Sequence, residues 1–104
     1  SGGIHGTVTR LTDGSPWSTG DVKAVSTRNG MEYPLKTDSS GVFSSSHLAA
    51  GDYVVALWKY NEAPWPTPLQ YVGQNWSILN AQRITILAGE VTTITAQVMP
   101  ARTA

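Results

Sequence analysis

Apolar and polar side chains alternate with a period of two over most of this 104-residue chain. Ile4, Gly6 and Val8 share one face of the segment 4–10, and His5, Thr7 and Thr9 share the other, the signature of a half-buried strand. Thr12-Asp13-Gly14-Ser15-Pro16 is a dense turn signal, and the segment 21–27 is a second strand with Val22 and Ala24 inward. Asn29-Gly30 predicts a two-residue hairpin turn into a third strand over 31–37, and Pro34 places that strand at an edge or a bulge. Asp38 can bond the backbone ahead of it and Gly41 can take a positive φ, so a turn precedes the strand begun by Val42 and Phe43. Gly51-Asp52 reads as another turn, leading into Tyr53-Val54-Val55-Ala56-Leu57.

Beyond Leu57 the regularity fails. Three prolines in 61–68 exclude a continuous central strand and favour an ordered, extended loop. A short strand is expected at 69–72, an irregular piece at 73–80, and one turn of helix within 77–82. The segment 83–87 is a strand, Ala88-Gly89-Glu90 a turn, and 91–98 the last strand, with Ile94, Ala96 and Val98 inward. About seven short strands with frequent turns predict an all-β sandwich without internal repeats. Its core should unite Phe43, Tyr53, Val55, Leu57, Ile84, Ile86, Ile94 and Val98 on facing inner surfaces.

Composition narrows the function classes. One domain of this length folds alone with little core to spare. Charged residues are only 13% of the chain, and seven basic residues balance seven acidic ones. No field exists to attract nucleic acid or an anionic membrane, and no apolar run is long enough to span a bilayer. The chain has no cysteine, which removes disulfides, thiolate metal sites and cysteine nucleophiles. Ser1-Gly2-Gly3 reads as an expression scar, residues 4–99 as a single module, and residues 100–104 as a linker or tail after Pro100.

With the strands placed, the chain resembles the carboxypeptidase regulatory-like group, whose fold is the transthyretin-like (prealbumin-like) sandwich shared by collagen-adhesin B-type repeats. The resemblance rests on Gly6-Thr7-Val8-Thr9, Asp13-Gly14-Ser15-Pro16 and Thr37-Asp38-x-x-Gly41-x-Phe43. Leu48-x-x-Gly51-x-Tyr53-x-Val55 and Ile84-x-Ile86-x-Ala88-Gly89-x-x-Thr92 complete it, so that it covers residues 4–98. It implies a non-enzymatic accessory module, a spacer or docking domain, in a larger secreted, cell-surface or virion-associated protein. Its partners would be neighbouring domains or another surface protein. Some adhesin-type members carry a lysine–asparagine cross-link promoted by a buried acid. That pattern needs a lysine in the first strand and an Asn or Asp in the last. Here the first strand has Arg10, the last has neither, and Lys23 has no evident partner, so no cross-link is expected.

Candidate chemistry is sparse. Glu32, Asp38, Asp52, Glu62 and Glu90 fall where solvated charges and turn formers are expected. Ser46, His47 and Asp52 are close in sequence, but no nucleophile elbow surrounds a serine. His5 and His47 lack a third metal ligand, and the loops at Asp13 and Asp38 supply too few oxygens for calcium. No cofactor is called for. Four Trp and four Tyr are more informative, because Trp58, Tyr60, Trp65, Tyr71 and Trp76 cluster in sequence. Alternation sets Val54, Ala56, Trp58 and Tyr60 on one face outside the main core, while Lys59 continues the inward face. The proline-braced loop through Trp65 then either covers these rings as a satellite cluster or leaves an aromatic platform for a partner protein or a sugar. A carbohydrate-binding module would use Trp58, Tyr60, Trp65 and Trp76, flanked by Asn61, Gln74 and Asn75.

Overall fold

The alternating segments form eight strands among residues 1–63 and 65–100, which are those described in the computed structural model. They are β1 (Gly2–Arg10), β2 (Asp21–Ser26), β3 (Glu32–Lys36), β4 (Val42–Leu48), β5 (Gly51–Lys59), β6 (Thr67–Tyr71), β7 (Ile84–Ile86) and β8 (Val91–Val98). One sheet has the order β4-β1-β8; the other runs β3-β2-β5-β6, with β7 paired to β5. The fold is thus the all-β sandwich expected. A 3-10 turn at Ile78–Asn80, capped by the Ser77 hydroxyl, is the single helical turn foreseen in 77–82.

The inner faces follow the period-two pattern. Ile4, Val8, Val22, Ala24, Phe43, Tyr53, Val55, Leu57, Ile84, Ile86, Ile94, Ala96 and Val98 form one buried cluster. Gly6 belongs to the inner face because the Phe43 ring lies against its backbone where a Cβ would stand. The Tyr33 and Tyr53 rings meet edge to face, with centroids 5.9 Å apart, and the Tyr53 hydroxyl donates to the Ala49 carbonyl at 2.6 Å.

Local details depart from the pattern for identifiable reasons. β1 begins at Gly2, and Gly2 and Gly3 are buried, because the strand continues alongside β4 and β8 ahead of Ile4. The β2–β3 hairpin closes through residues 27–30 rather than a two-residue turn. Ser26 N–H donates to Met31 O, Gly30 N–H donates to Ser26 O, and only Gly30 takes positive φ. Gly51 and Asp52 already belong to β5, the turn being made by Ala49 and Ala50. Pro34 is tolerated because β3 is an edge strand, and Pro68 because β6 is an edge strand with a register shift opposite Leu57 to Lys59. At Asp38 the expected turn forms: its Oδ1 accepts from Ser40 and Val42 N–H at 2.8 and 3.0 Å, and Gly41 has φ +77°.

β5 is buried on both sides. Val54 and Ala56 were expected to face outward from the core, and they do stand outside the central cluster, yet both are buried. Ala56 sits opposite Lys23 on β2 and Tyr71 on β6, whose longer side chains flank the small residue. The Lys23 ammonium lies 5.5 Å from the centre of the Trp58 ring and 3.3 Å from Glu32. Lysine stems commonly cover apolar surface in this way while the charge stays wet.

β1 and β8 are parallel neighbours, in register from Gly3 opposite Val91 to Arg10 opposite Val98. The chain therefore enters the sandwich at one end of this pair and leaves it at the other. The body measures 40 × 28 × 19 Å.

Candidate functional site

The end of the sandwich where β1 and β8 finish carries the β1–β2 loop, the β3–β4 turn and the β5–β6 loop. The β1–β2 loop doubles back on β1. Arg10 N–H donates to Ser15 O at 2.8 Å, Trp17 N–H donates to Val8 O at 3.0 Å, and Thr9 bridges Pro16. Asp13 tightens the turn by accepting from the Ser15 hydroxyl at 2.6 Å and from Ser15 N–H at 3.0 Å. These two bonds hold the Asp13 carboxyl below its ordinary pKa, the hydroxyl contributing most. The return delivers Trp17 into the core with 0% of its surface exposed. Its indole packs where a side chain on Gly20 would stand, and its carbonyl accepts from the buried Thr37 hydroxyl at 2.8 Å. The Thr37 oxygen accepts in turn from Gly20 N–H at 2.7 Å.

A polar chain links this loop to its neighbour. Trp17 Nε1 donates to Thr67 Oγ1 at 3.3 Å, and that hydroxyl donates to Glu62 Oε2 at 2.9 Å. The other Glu62 oxygen pairs with the Arg10 guanidinium, and the Glu62 side chain is only 10% exposed. Glu62 is therefore not the solvated charge that its sequence position suggested, because the Arg10 guanidinium of β1 and the Thr67 hydroxyl of β6 both engage its carboxylate. Lys59 adds a bond of 2.8 Å from its ammonium to Ser18 O. The base of the β5–β6 loop is pinned while its outer side is not: Tyr60 is 59% and Trp65 75% exposed, and Asn61 is also exposed.

The seven residues singled out from the sequence are thus divided. Tyr60, Asn61 and Trp65 lie on the β5–β6 loop. Trp58 is half-buried at the end of β5 beside Lys23. Trp76 is half-buried on the excursion between β6 and β7. Gln74, at φ +56°, donates to Gln97 of β8 at 2.9 Å and so is turned toward the other sheet. Asn75 accepts from Ser77 N–H and donates to Asn80 O, holding its own loop. Among the described residues no ring–ring pair joins Trp58, Tyr60 and Trp65. Pro64, counted among the braces of this loop, lies outside the described residues, as do residues 101–104 of the expected tail.

The polar constellations weighed from the sequence are engaged elsewhere. Ser46 Oγ is 3.2 Å from His47 Nε2, but Asp52 accepts the Thr85 hydroxyl at 2.7 Å. The Asp38 carboxyl is held below its ordinary pKa, chiefly by Val42 N–H and then by Ser40 N–H. No group of three His, Cys, Asp or Glu side chains among the described residues could hold a metal. No helix among them is long and apolar enough to cross a membrane.

Four further residues escaped the pattern-based reading. Trp17, Thr37 and Thr67 build the closed end, and Gln70, 0% exposed on β6, lies at its rim. Gln70 Oε1 accepts from Met99 N–H at 2.6 Å, and its Nε2 donates to Met99 O at 3.2 Å and to Pro68 O at 3.3 Å. The available signal for Trp17 was a tryptophan followed by Ser18-Thr19-Gly20, small residues that leave room for an indole.

No family model matches the chain, and no curated protein matches it. Solved structures do share its fold. The major pilin subunit BcpA of Bacillus cereus aligns with 94% of this chain at 16% identity and a TM-score of 0.63. A DUF3823 family protein from Bacteroides uniformis aligns with 96% at 17% identity and a TM-score of 0.63. Another, from Parabacteroides merdae, aligns with 95% at 15% identity and a TM-score of 0.54. The chain spans 30%, 43% and 46% of the lengths of these three proteins. At such identities the likeness shows the fold, a β-sandwich of the kind found in a pilin subunit.

Proposed function

We infer that this domain is a non-enzymatic structural module of a larger cell-surface or otherwise extracellular protein, set in line between neighbouring parts. The observation that carries this reading is the parallel pairing of β1 with β8, which sends the chain in at one end of the sandwich and out at the other. Seven residue steps of extended chain separate the two ends of that ladder, roughly 23 Å at about 3.3 Å per residue. A module built this way adds length along the chain direction instead of folding it back. The likeness in fold to a protein described as a major pilin subunit supports the same reading.

Docking through the β5–β6 loop is a second reading, favoured by the 75% exposure of Trp65 on a loop fixed from beneath by Glu62. Large rings on a pre-ordered loop are effective anchors for a protein partner. The sugar-platform version has less support, because Gln74 and Asn75 are engaged within the domain. Two measurements test the proposal. Labelling intact cells or particles should find the domain accessible from outside. Replacing it in the parent protein with an unrelated sandwich of equal length should preserve function. A loss of function reproduced by Trp65→Ala alone would replace the spacer reading with docking, and a glycan array would identify a sugar ligand.

A further inference from the structure

We propose that the β1–β8 pair is a shear clamp that lets this module carry tension along its long axis, with Gln70 as a latch on the outgoing chain. The proposal rests on the in-line reading above, since it supposes that force reaches the domain through its two terminal strands. Pulling the start of β1 away from the end of β8 drives two parallel neighbours past each other. Every bond of the ladder from Gly3–Val91 to Arg10–Val98 then resists at once. Had the strands been antiparallel neighbours, entry and exit would lie side by side, and the same pull would open the ladder one pair at a time.

Both ends of the ladder are reinforced. At the entry, Gly3 N–H donates to Glu90 O at 2.8 Å and Gly89 N–H donates to Ser1 O at 2.9 Å. At the exit, Leu11 N–H donates to Val98 O at 2.9 Å, extending the pairing past Arg10. The next residue, Met99, is held by the buried Gln70 amide, which satisfies both backbone groups of Met99 as a partner strand would. Gln70 sits on β6, in the opposite sheet, so a pull on the outgoing chain is shared with that sheet before it reaches β8. A fully buried glutamine is uncommon, and this one has both ends of its amide engaged. Glu62 braces the last ladder residue through the Arg10 side chain, and Lys59 ties the same end to Ser18 O.

Single-molecule force spectroscopy tests this directly, because a chain without cysteine accepts attachment points at chosen positions. One variant carries Ser1→Cys and Ala104→Cys; the other carries Ser1→Cys and Glu90→Cys, two points at the same end of the ladder. Forced unfolding is governed by the unfolding rate. At one loading rate the end-to-end geometry should unfold at severalfold higher force than the Ser1–Glu90 geometry. Gln70→Ala should lower the end-to-end force and leave the Ser1–Glu90 force unchanged. Trp17→Ala, which weakens the core without touching ladder or latch, should lower both, separating loss of stability from loss of the latch. Equal forces in the two geometries would overturn the clamp, and a Gln70→Ala effect equal in both would overturn the latch. Neither result would bear on surface accessibility, which tests the module reading separately. Conversely, an inaccessible domain with direction-dependent strength would refute that reading and leave the clamp standing.

Discussion

The β1–β2 and β5–β6 loops close the same end of the sandwich, and each carries a tryptophan, yet one ring is wholly buried and the other is three-quarters exposed. Hydrophobicity cannot distinguish them, since the residue is the same. Backbone does. The β1–β2 loop turns back along β1 through Asp13, so Trp17 is aimed inward at a space left open by Gly20 and bordered by Thr37 and Thr67. The β5–β6 loop is fastened at its base through Glu62, which fixes where the loop runs but supplies no cavity for Trp65. A tryptophan is buried where the surrounding chain leaves an indole-sized gap with a partner for its N–H.

The contrast can be tested from its strongest side to its weakest. Trp17→Ala removes the largest fully buried side chain and should destabilise the domain by about 3–5 kcal/mol in chemical denaturation. A loss below about 0.5 kcal/mol, typical of surface sites, would mean that Trp17 is not a core residue. Leu57→Ala sets the scale for a strand residue of the same core, with an expected loss of roughly 2–5 kcal/mol. A surface-like value there would reverse the register assigned to β5. Glu62→Gln leaves Arg10 and Thr67 with a neutral partner and should cost about 1–3 kcal/mol. The lower part of that range is expected because Arg10 keeps part of its solvation. Proteolysis within the β5–β6 loop should quicken in the same variant, and an unchanged cleavage rate would show that Glu62 does not hold the loop.

The fourth test concerns acid. The Asp38 pKa is lowered in the fold from an ordinary 3.8 by hydrogen bonds that exist only when the turn is formed. Its contribution to stability is therefore complete above pH 3.8 and is lost as the pH falls through the lower folded value. The gap in melting temperature between the natural protein and Asp38→Ala should narrow over that acidic window. A gap independent of pH would assign the effect of the substitution to backbone freedom instead. Trp65→Ala should have the smallest effect, within about 0.5 kcal/mol of the natural protein. A larger loss would place the ring against the body of the domain and remove it as a docking anchor.

Strands were legible because alternation in a two-layer protein has one physical reading: the inner face must be apolar and the outer need not be. Val22, Ala24, Tyr53, Val55, Leu57, Ile94, Ala96 and Val98 are buried as that rule requires. Turns were legible where the side chain itself makes the turn, as at Asp38 with Gly41. The β2–β3 hairpin was legible in place but not in kind, since Asn29-Gly30 suits several turns and the Ser26 hydroxyl, accepting from Arg28 N–H, favoured a longer one. The candidate site was legible only in part. Neighbours in sequence such as Tyr60, Asn61 and Trp65 stay neighbours on one loop, whereas Gln74 is drawn to Gln97 on another sheet.

By itself the sequence determined what depends on residues a few positions apart: the sandwich class, the course of most strands, the inner faces and the turn chemistry. Tertiary structure alone decided what depends on residues far apart in the chain. Arg10, Trp17, Glu62 and Thr67 meet in one polar chain, and Gln70 reaches Met99. β1 lies parallel to β8, although nothing in either strand marks its neighbour. The reason is physical. A side chain's periodicity reports whether it faces water, but a buried carboxylate, amide or indole N–H is satisfied only by particular atoms at hydrogen-bond distance. Which atoms arrive there is fixed by how the two sheets and their connections close on each other.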